Sequence, residues 1–351
     1  MIELNRWLRV FMIGAVGATI ALTGCDRLTG ELALNKNATL PEMRTHCAGR
    51  YLIDLPVGFE QEPSSDVDLI YGLGKDFRRV KVALLRESGT QPTFDSLVNK
   101  RAAELAADYH FKSPSKTMLA LLQRKSQTLA LVRTYFSPRM LDLFKEEVFA
   151  ERGPVVAVFK DDVGENERPE DIEANLLRVV ESTSAMSSPD QAGRGTCLGP
   201  LLINAGQDGE FFYLSFKSKA APDVVVHIDM NSMLAKSDGG LLNRWDSKAG
   251  LLAKLDFSSS TLRRGKVTIG GMAGEELLSK GKDNGKVVRG FSAETVLLKP
   301  ATFAAPSLAI SMSMGGQNEA ADYVDPSWTD EEAMKIWDAI VKSIRARPGS
   351  A

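Results

Sequence analysis

The chain has 351 residues, enough for about two domains of ordinary size. Its 44% hydrophobic, 25% charged and 7% aromatic content is that of a folded globular body and excludes a disordered, collagen-like or multi-span membrane chain. Forty-three Lys and Arg against 45 Asp and Glu give a formal net charge of −2, so no basic excess exists to neutralise a phosphate backbone and nucleic acid is not an expected partner.

The chain opens with an export address. Arg6 and Arg9 supply a cationic start, offset by Glu3, and Val10 to Leu22 is apolar apart from Gly14, Gly17 and Thr19. Those 13 residues fall short of the roughly 20 that cross hydrocarbon, so a signal peptide over 1–24 is expected in place of a permanent span. Leu22, Thr23, Gly24 and Cys25 resemble the lipobox of bacterial lipoproteins. The resemblance implies diacylglycerol on the Cys25 thiol, cleavage before Cys25 and a further acyl chain on the new amino terminus. Two or three such chains, at about 0.8 kcal/mol per buried CH₂, anchor stably. The alternative is a plain secretory peptide with an incidental Cys. Asp26 resembles the enterobacterial signal that retains a lipoprotein in the inner membrane, which points to a periplasmic, lipid-anchored location there. Residues 25–40 carry no firm periodicity and read as a tether.

Beyond the tether the chain repeats itself. Cys47, Gly49, Leu52, Ile53 and Asp54 fall on Cys197, Gly199, Leu202, Ile203 and Asn204 at an offset of 150. At an offset of 144, Val80, Val82 and Leu84 fall on Val224, Val226 and Ile228, alternating positions that predict strands. Helical stripes follow, with Phe94, Leu97, Val98, Ala102 and Leu105 in the first copy and Leu242, Trp245, Ala249 and Leu252 in the second. Strands are expected over 129–136, 148–152 and 155–159, and again over 266–269, 287–298 and 308–314. Near the ends Leu176, Val179, Val180 and Ser182 match Trp337, Ile340, Val341 and Ser343 at an offset of 161. Thr329 and Glu332 make a capping box at the start of the last helix, and Pro348 and Gly349 stop it. Changing offsets mark insertions in loops. The expected fold class is α+β: two tandem, duplicated domains over 41–185 and 197–351, each an antiparallel sheet packed with helices, joined by a Ser, Pro and Gly linker at 186–196.

Chemistry is sparse. Three His and three Cys leave few parts for a metal cage or a Cys/His nucleophile pair. His46, His110 and His227 are scattered, and no G-x-S-x-G, H-E-x-x-H or P-loop occurs. Gly270 to Glu276 reads as a tight turn, since it lacks the Lys and Ser/Thr of a phosphate cradle. The acidic run from Asp161 to Glu173 reads as a solvated loop and helix start, with Ca²⁺ or a basic partner surface as the alternative. Gly315 to Glu319 reads as an exposed loop. With Cys25 lipidated, Cys47 and Cys197 are an even pair at equivalent places; either they form a disulfide across the two copies or they are buried separate thiols. No catalytic residue, cofactor or metal is assigned.

The leader, the segment Gly49 to Pro56 (G-R-Y-L-I-D-L-P), the I-G-G-M-A-G-E-E core within Arg263 to Leu277, and the ending Ser327 to Pro348 together resemble the immunity proteins of family-four phospholipase effectors of the type VI secretion system. The resemblance implies a periplasmic protein, not an enzyme, that clasps its cognate phospholipase and keeps the lid over the active site from opening. The competing reading is an envelope lipoprotein that carries a lipid or scaffolds an assembly.

Overall fold

The computed structural model describes residues 40–72, 77–111, 113–140, 142–236, 239–247, 260–318 and 320–350; the expected signal peptide, Cys25, Asp26 and nearly all of the tether lie outside the described residues. The first half runs through β1 (Met43–Gly49), β2 (Tyr51–Pro56), β3 (Phe59–Gln61), β4 (Asp66–Tyr71), β5 (Arg78–Arg86), helix α1 (Phe94–Ala107), β6 (Tyr109–His110), β7 (Ser113–Thr117), β8 (Leu119–Ser126), β9 (Leu129–Tyr135), β10 (Phe144–Arg152), β11 (Val155–Val163), helix α2 (Pro169–Glu181) and β12 (Thr183–Ala185). The second runs through β13 (Thr196–Leu198), β14 (Leu201–Ile203), β15 (Gly209–Ser218), β16 (Val225–Asn231), helix α3 (Leu241–Asp246), β17 (Ser260–Ile269), β18 (Met272–Asp283), β19 (Lys286–Thr295), β20 (Ser307–Gln317), β21 (Tyr323–Val324), helix α4 (Asp330–Ser343) and β22 (Arg345–Ala346).

The fold is α+β, and the strands pair antiparallel. A 14-stranded sheet has its centre at the pair β4 and β15. Outward from that pair it reads β4-β5-β11-β10-β9-β8 on one side and β15-β16-β20-β19-β18-β17 on the other, the same order in each half. Register obeys the same relation. Asp66 pairs with Tyr213 and Leu69 with Glu210, and the offset of 144 carries one pair onto the other. A second, six-stranded sheet runs β12-β14-β13-β1-β2-β22, with Ala48 opposite Leu198. Residues 186–196, expected as a linker between two domains, connect β12 to β13 inside this sheet, and both sheets take strands from either side of that stretch. The edges of β4 and β15 hydrogen-bond to each other, which removes two open edges that would otherwise template association.

Packing follows from the alternation. Val67, Leu69, Val82, Phe212, Leu214 and Phe216 point to the inner face of the large sheet, where they meet Ile172 and Leu176 of α2, Trp337 and Ile340 of α4, and Ile53 and Leu198 of the small sheet in one core. On the outer face, Phe94, Val98 and Leu105 of α1 cover Ala130, Val132, Phe149 and Val158 of the first half only. Thr93 caps α1 by accepting from the Ser96 amide at 3.2 Å. The expected box closes α4: Glu332 N–H donates to Thr329 Oγ1 at 3.2 Å and Thr329 N–H to Glu332 Oε2 at 2.9 Å. At the far ends of α2 and α4, Ser182 Oγ donates to Val179 O and Ser343 Oγ to Ile340 O, both at 2.6 Å and 161 positions apart.

One expectation needs adjustment. Gly315 and Gly316 belong to the end of β20, where Gly316 pairs with Val324, and are not a free loop. Their φ of 72° and 91° bends the strand, and a Cβ on Gly315 would lie 2.5 Å from Val287 O. The second helical stripe is described only as far as α3; Ala249 and Leu252 lie outside the described residues.

Candidate partner-binding surface

The few chemistry-bearing residues are spread over separate elements. His46 on β1 stacks edge-on against Phe216 at 5.1 Å, and burial, helped by Arg44, drops its pKa to about 4. His110 on β6 is fully buried, with Nε2 2.8 Å from Met140 O. His227 on β16 lies with Nδ1 2.8 Å from the Tyr213 hydroxyl, and burial lowers its pKa. Cys47 and Cys197, on adjacent strands β1 and β13, form a disulfide with Cα atoms 6.1 Å apart. Among the described residues no group of three or more His, Cys, Asp or Glu is placed to hold a metal ion.

The acidic run is tied down by cations of the same chain. Arg78 binds Asp161 at 3.3 Å and also Glu167, Arg168 binds Asp171 at 2.6 Å, and Lys125 binds Glu173 at 2.6 Å. Burial lifts Asp161 to about 6 even against the pull of Arg78. The glycine-rich segment is a hairpin: Ile269 pairs with Met272, and Gly270 and Gly271 take φ of 58° and 82°. Two clefts, of about 410 and 250 Å³, have charged side chains in their walls, Arg263, Glu276 and Asp338 in one and Glu62, Lys217 and Asp223 in the other, which does not suit an acyl chain.

On the outer face of the large sheet, where the first half carries apolar side chains under α1, the second carries polar ones: Tyr213, Ser215, His227, Asp229, Ser292 and Ser311 come together by register, with Ser215 fully buried and the others half-buried. Burial, reinforced by Glu294, lifts half-buried Asp229 to about 7. Ion pairs also occur in the first half: Lys81 of β5 lies 2.9 Å from Asp66 of β4, and Arg101 of α1 lies 2.8 Å from Glu147 of β10. Two groups of apolar side chains also stand in water. Tyr109, Phe111, Phe136 and Met140 lie on the connections that flank β8, β9 and β10. Met233, Leu234 and Leu298 follow β16 and β19. Nothing in the sequence pattern set these apart from core residues; only burial does.

An α+β body with a polar sheet face and pinned apolar loops is equipped to bind another macromolecule. Residues 190–349, which take in β13 through β22, match the model of the family described as Tle cognate immunity protein 4 C-terminal domain. Solved structures share the fold over nearly the whole chain. The apo immunity protein TplEi of the T6SS of Pseudomonas aeruginosa is 22% identical, with a TM-score of 0.61, covering 88% of this chain and 98% of that one. A chain of the Tle4–Tli4 complex is 23% identical, with a TM-score of 0.62 and the same coverage. TplEi complexed with "L" peptide gives 22% identity, a TM-score of 0.57, and coverage of 87% of this chain and 98% of that one. No curated protein sequence matches.

Proposed function

We propose that this chain is an immunity protein that binds and inhibits a type VI secreted phospholipase. The observation that carries this is the match of residues 190–349 to the Tle cognate immunity protein 4 C-terminal domain. The likeness of fold to TplEi and to the Tle4–Tli4 complex extends the same frame through the first half. Inhibition is stoichiometric and steric, with no turnover of its own: the chain clamps the enzyme and holds shut the lid over its active site. Because both halves share one continuous sheet, the grip comes from a single stiff body with two related ends. The repeated strand order and the three collinear offsets support an origin by tandem duplication. Acylation of Cys25, with Asp26 retaining the chain at the inner membrane, places the inhibitor in the periplasm, where phospholipid is exposed to attack.

Titration of a type VI phospholipase effector of the cognate family with this chain tests the reading. Activity on phospholipid vesicles is expected to fall to background at one equivalent, with a stable complex on gel filtration. Turnover that persists at molar excess rejects it.

A further inference from the structure

We propose that an apolar rim along one edge of the large sheet is the surface that docks the partner phospholipase, an inference that rests on the inhibitor reading above. Strand register defines the rim. Tyr71 pairs with Arg78, Ile70 with Gly209, and Phe211 with Asn231, so the end of β4, the starts of β5 and β15 and the end of β16 share one edge. Following the ladder outward, the ends of β11, β9 and β19 and the starts of β10, β8 and β20 lie on that same edge. Tyr109, Phe111, Phe136 and Met140 sit on connections at this edge in the first half, Phe77 just before β5, and Met233, Leu234 and Leu298 in the second. Eight of the eleven strongly exposed large apolar side chains of the described residues therefore gather on one edge, which a random scatter of surface apolar residues would not do. From β9 to β19 the rim spans about 40 Å, at roughly 4.8 Å per strand.

The side chains are held outward by construction. Tyr109 and Phe111 are 66% and 71% exposed, while His110 between them is fully buried and meets Tyr135 edge-on at 4.9 Å. Phe111 N–H donates to Pro138 O at 2.9 Å, which ties this connection to the one carrying Phe136 and Met140. In the second half Ala301 N–H donates to Leu234 O at 2.9 Å, and Met233 N–H to Asn231 Oδ1 at 2.8 Å. Pinned loops lose little freedom on binding, so their apolar contacts convert more fully to affinity. With about 200 Å² per large side chain, eight residues exposed by 37% to 75% leave on the order of 800 Å² of surface in water, the share one partner brings to a standard interface. Phe, Tyr and Met are enriched at such interfaces, and aromatic anchors among them carry much of the energy. The occupant is a protein that itself presents apolar surface. An enzyme working on bilayer lipid meets that requirement, since it must offer apolar area to the acyl region.

The test measures binding of the full mature chain to the phospholipase by calorimetry, beside inhibition and thermal melting. The variants are Tyr109→Ser/Phe111→Ser and Leu234→Ser/Leu298→Ser, with Val57→Ser as an exposed apolar control outside the rim. Each rim pair is expected to weaken binding roughly 100-fold or more and to raise the inhibitor concentration needed in proportion, with melting unchanged; the control stays within about twofold. Rim variants that bind and inhibit as well as the wild type overturn the rim assignment while leaving the inhibitor reading intact. A wild-type chain that neither binds nor inhibits overturns both. Rim variants that keep the phospholipase but lose sedimentation with phosphatidylglycerol vesicles, or lose self-association, assign the rim to a membrane or to a second copy and overturn the proposal.

Discussion

Replacing Cys47 and Cys197 together by Ala removes the covalent link between the halves while leaving their backbone pairing in place. The bond closes a loop of 150 residues, and in the chain-entropy model opening it costs about 5 kcal/mol, because the unfolded chain regains freedom. That is a large part of the 5–15 kcal/mol typical of whole domains. Guanidinium titration followed by far-UV circular dichroism and by tryptophan fluorescence reads the loss. Apart from Trp7 in the expected signal peptide, the tryptophans are Trp245, Trp328 and Trp337, all in the second half, so fluorescence of the mature chain reports on that half and dichroism on both. The double variant is expected to lose about 5 kcal/mol with the two probes still coincident, since β4 with β15 and β1 with β13 join the halves without sulfur. An unchanged midpoint refutes the cross-link. Two separated transitions refute the reading of both sheets as one cooperative unit.

Trp337→Ala is expected to destabilise by about 3–5 kcal/mol in the same titration, because the fully buried indole packs edge-on against Phe291 and its Nε1–H donates to Glu276 at 3.2 Å; a loss under about 1 kcal/mol contradicts the packing. Asp229, lifted from 3.8 to about 7, binds its proton more tightly folded than unfolded, so its contribution is present at low pH and is lost as pH rises through 7. Asp229→Asn should therefore raise the melting temperature relative to wild type more at pH 8 than at pH 4, and a gap independent of pH rejects the perturbation.

Local features were legible where a local rule governs them. Thr329 and Glu332 announced the start of α4, Gly270 and Gly271 a hairpin, and alternating Val80, Val82 and Leu84 the inner face of β5. The α+β class followed from their order. Joining the halves did not, because an edge strand carries no sign of which distant edge it meets; Val67 and Leu69 read the same whether β4 ends a sheet or centres one. Buried charge was equally silent. Arg347, nearly inaccessible, donates to the carbonyls of Gln191, Gly193 and Gly195, and Arg50 donates to Glu210 at 2.8 Å; only the fold brings these partners together. The rim was invisible for the opposite reason. Phe111 and Phe149 are the same residue type, and only tertiary context leaves one in water and the other in the core.

The pairing of β22 with β2 joins Leu52 to Arg345 across nearly the whole described chain. A chain delivered amino terminus first across a membrane cannot supply that outer strand until its last residues arrive, so the amino-terminal hairpin waits with that flank bare. Contacts so remote in sequence slow assembly. A chain still short of residues 345 and 346 thus keeps an open strand edge there, the kind of edge that templates association, and their arrival closes it.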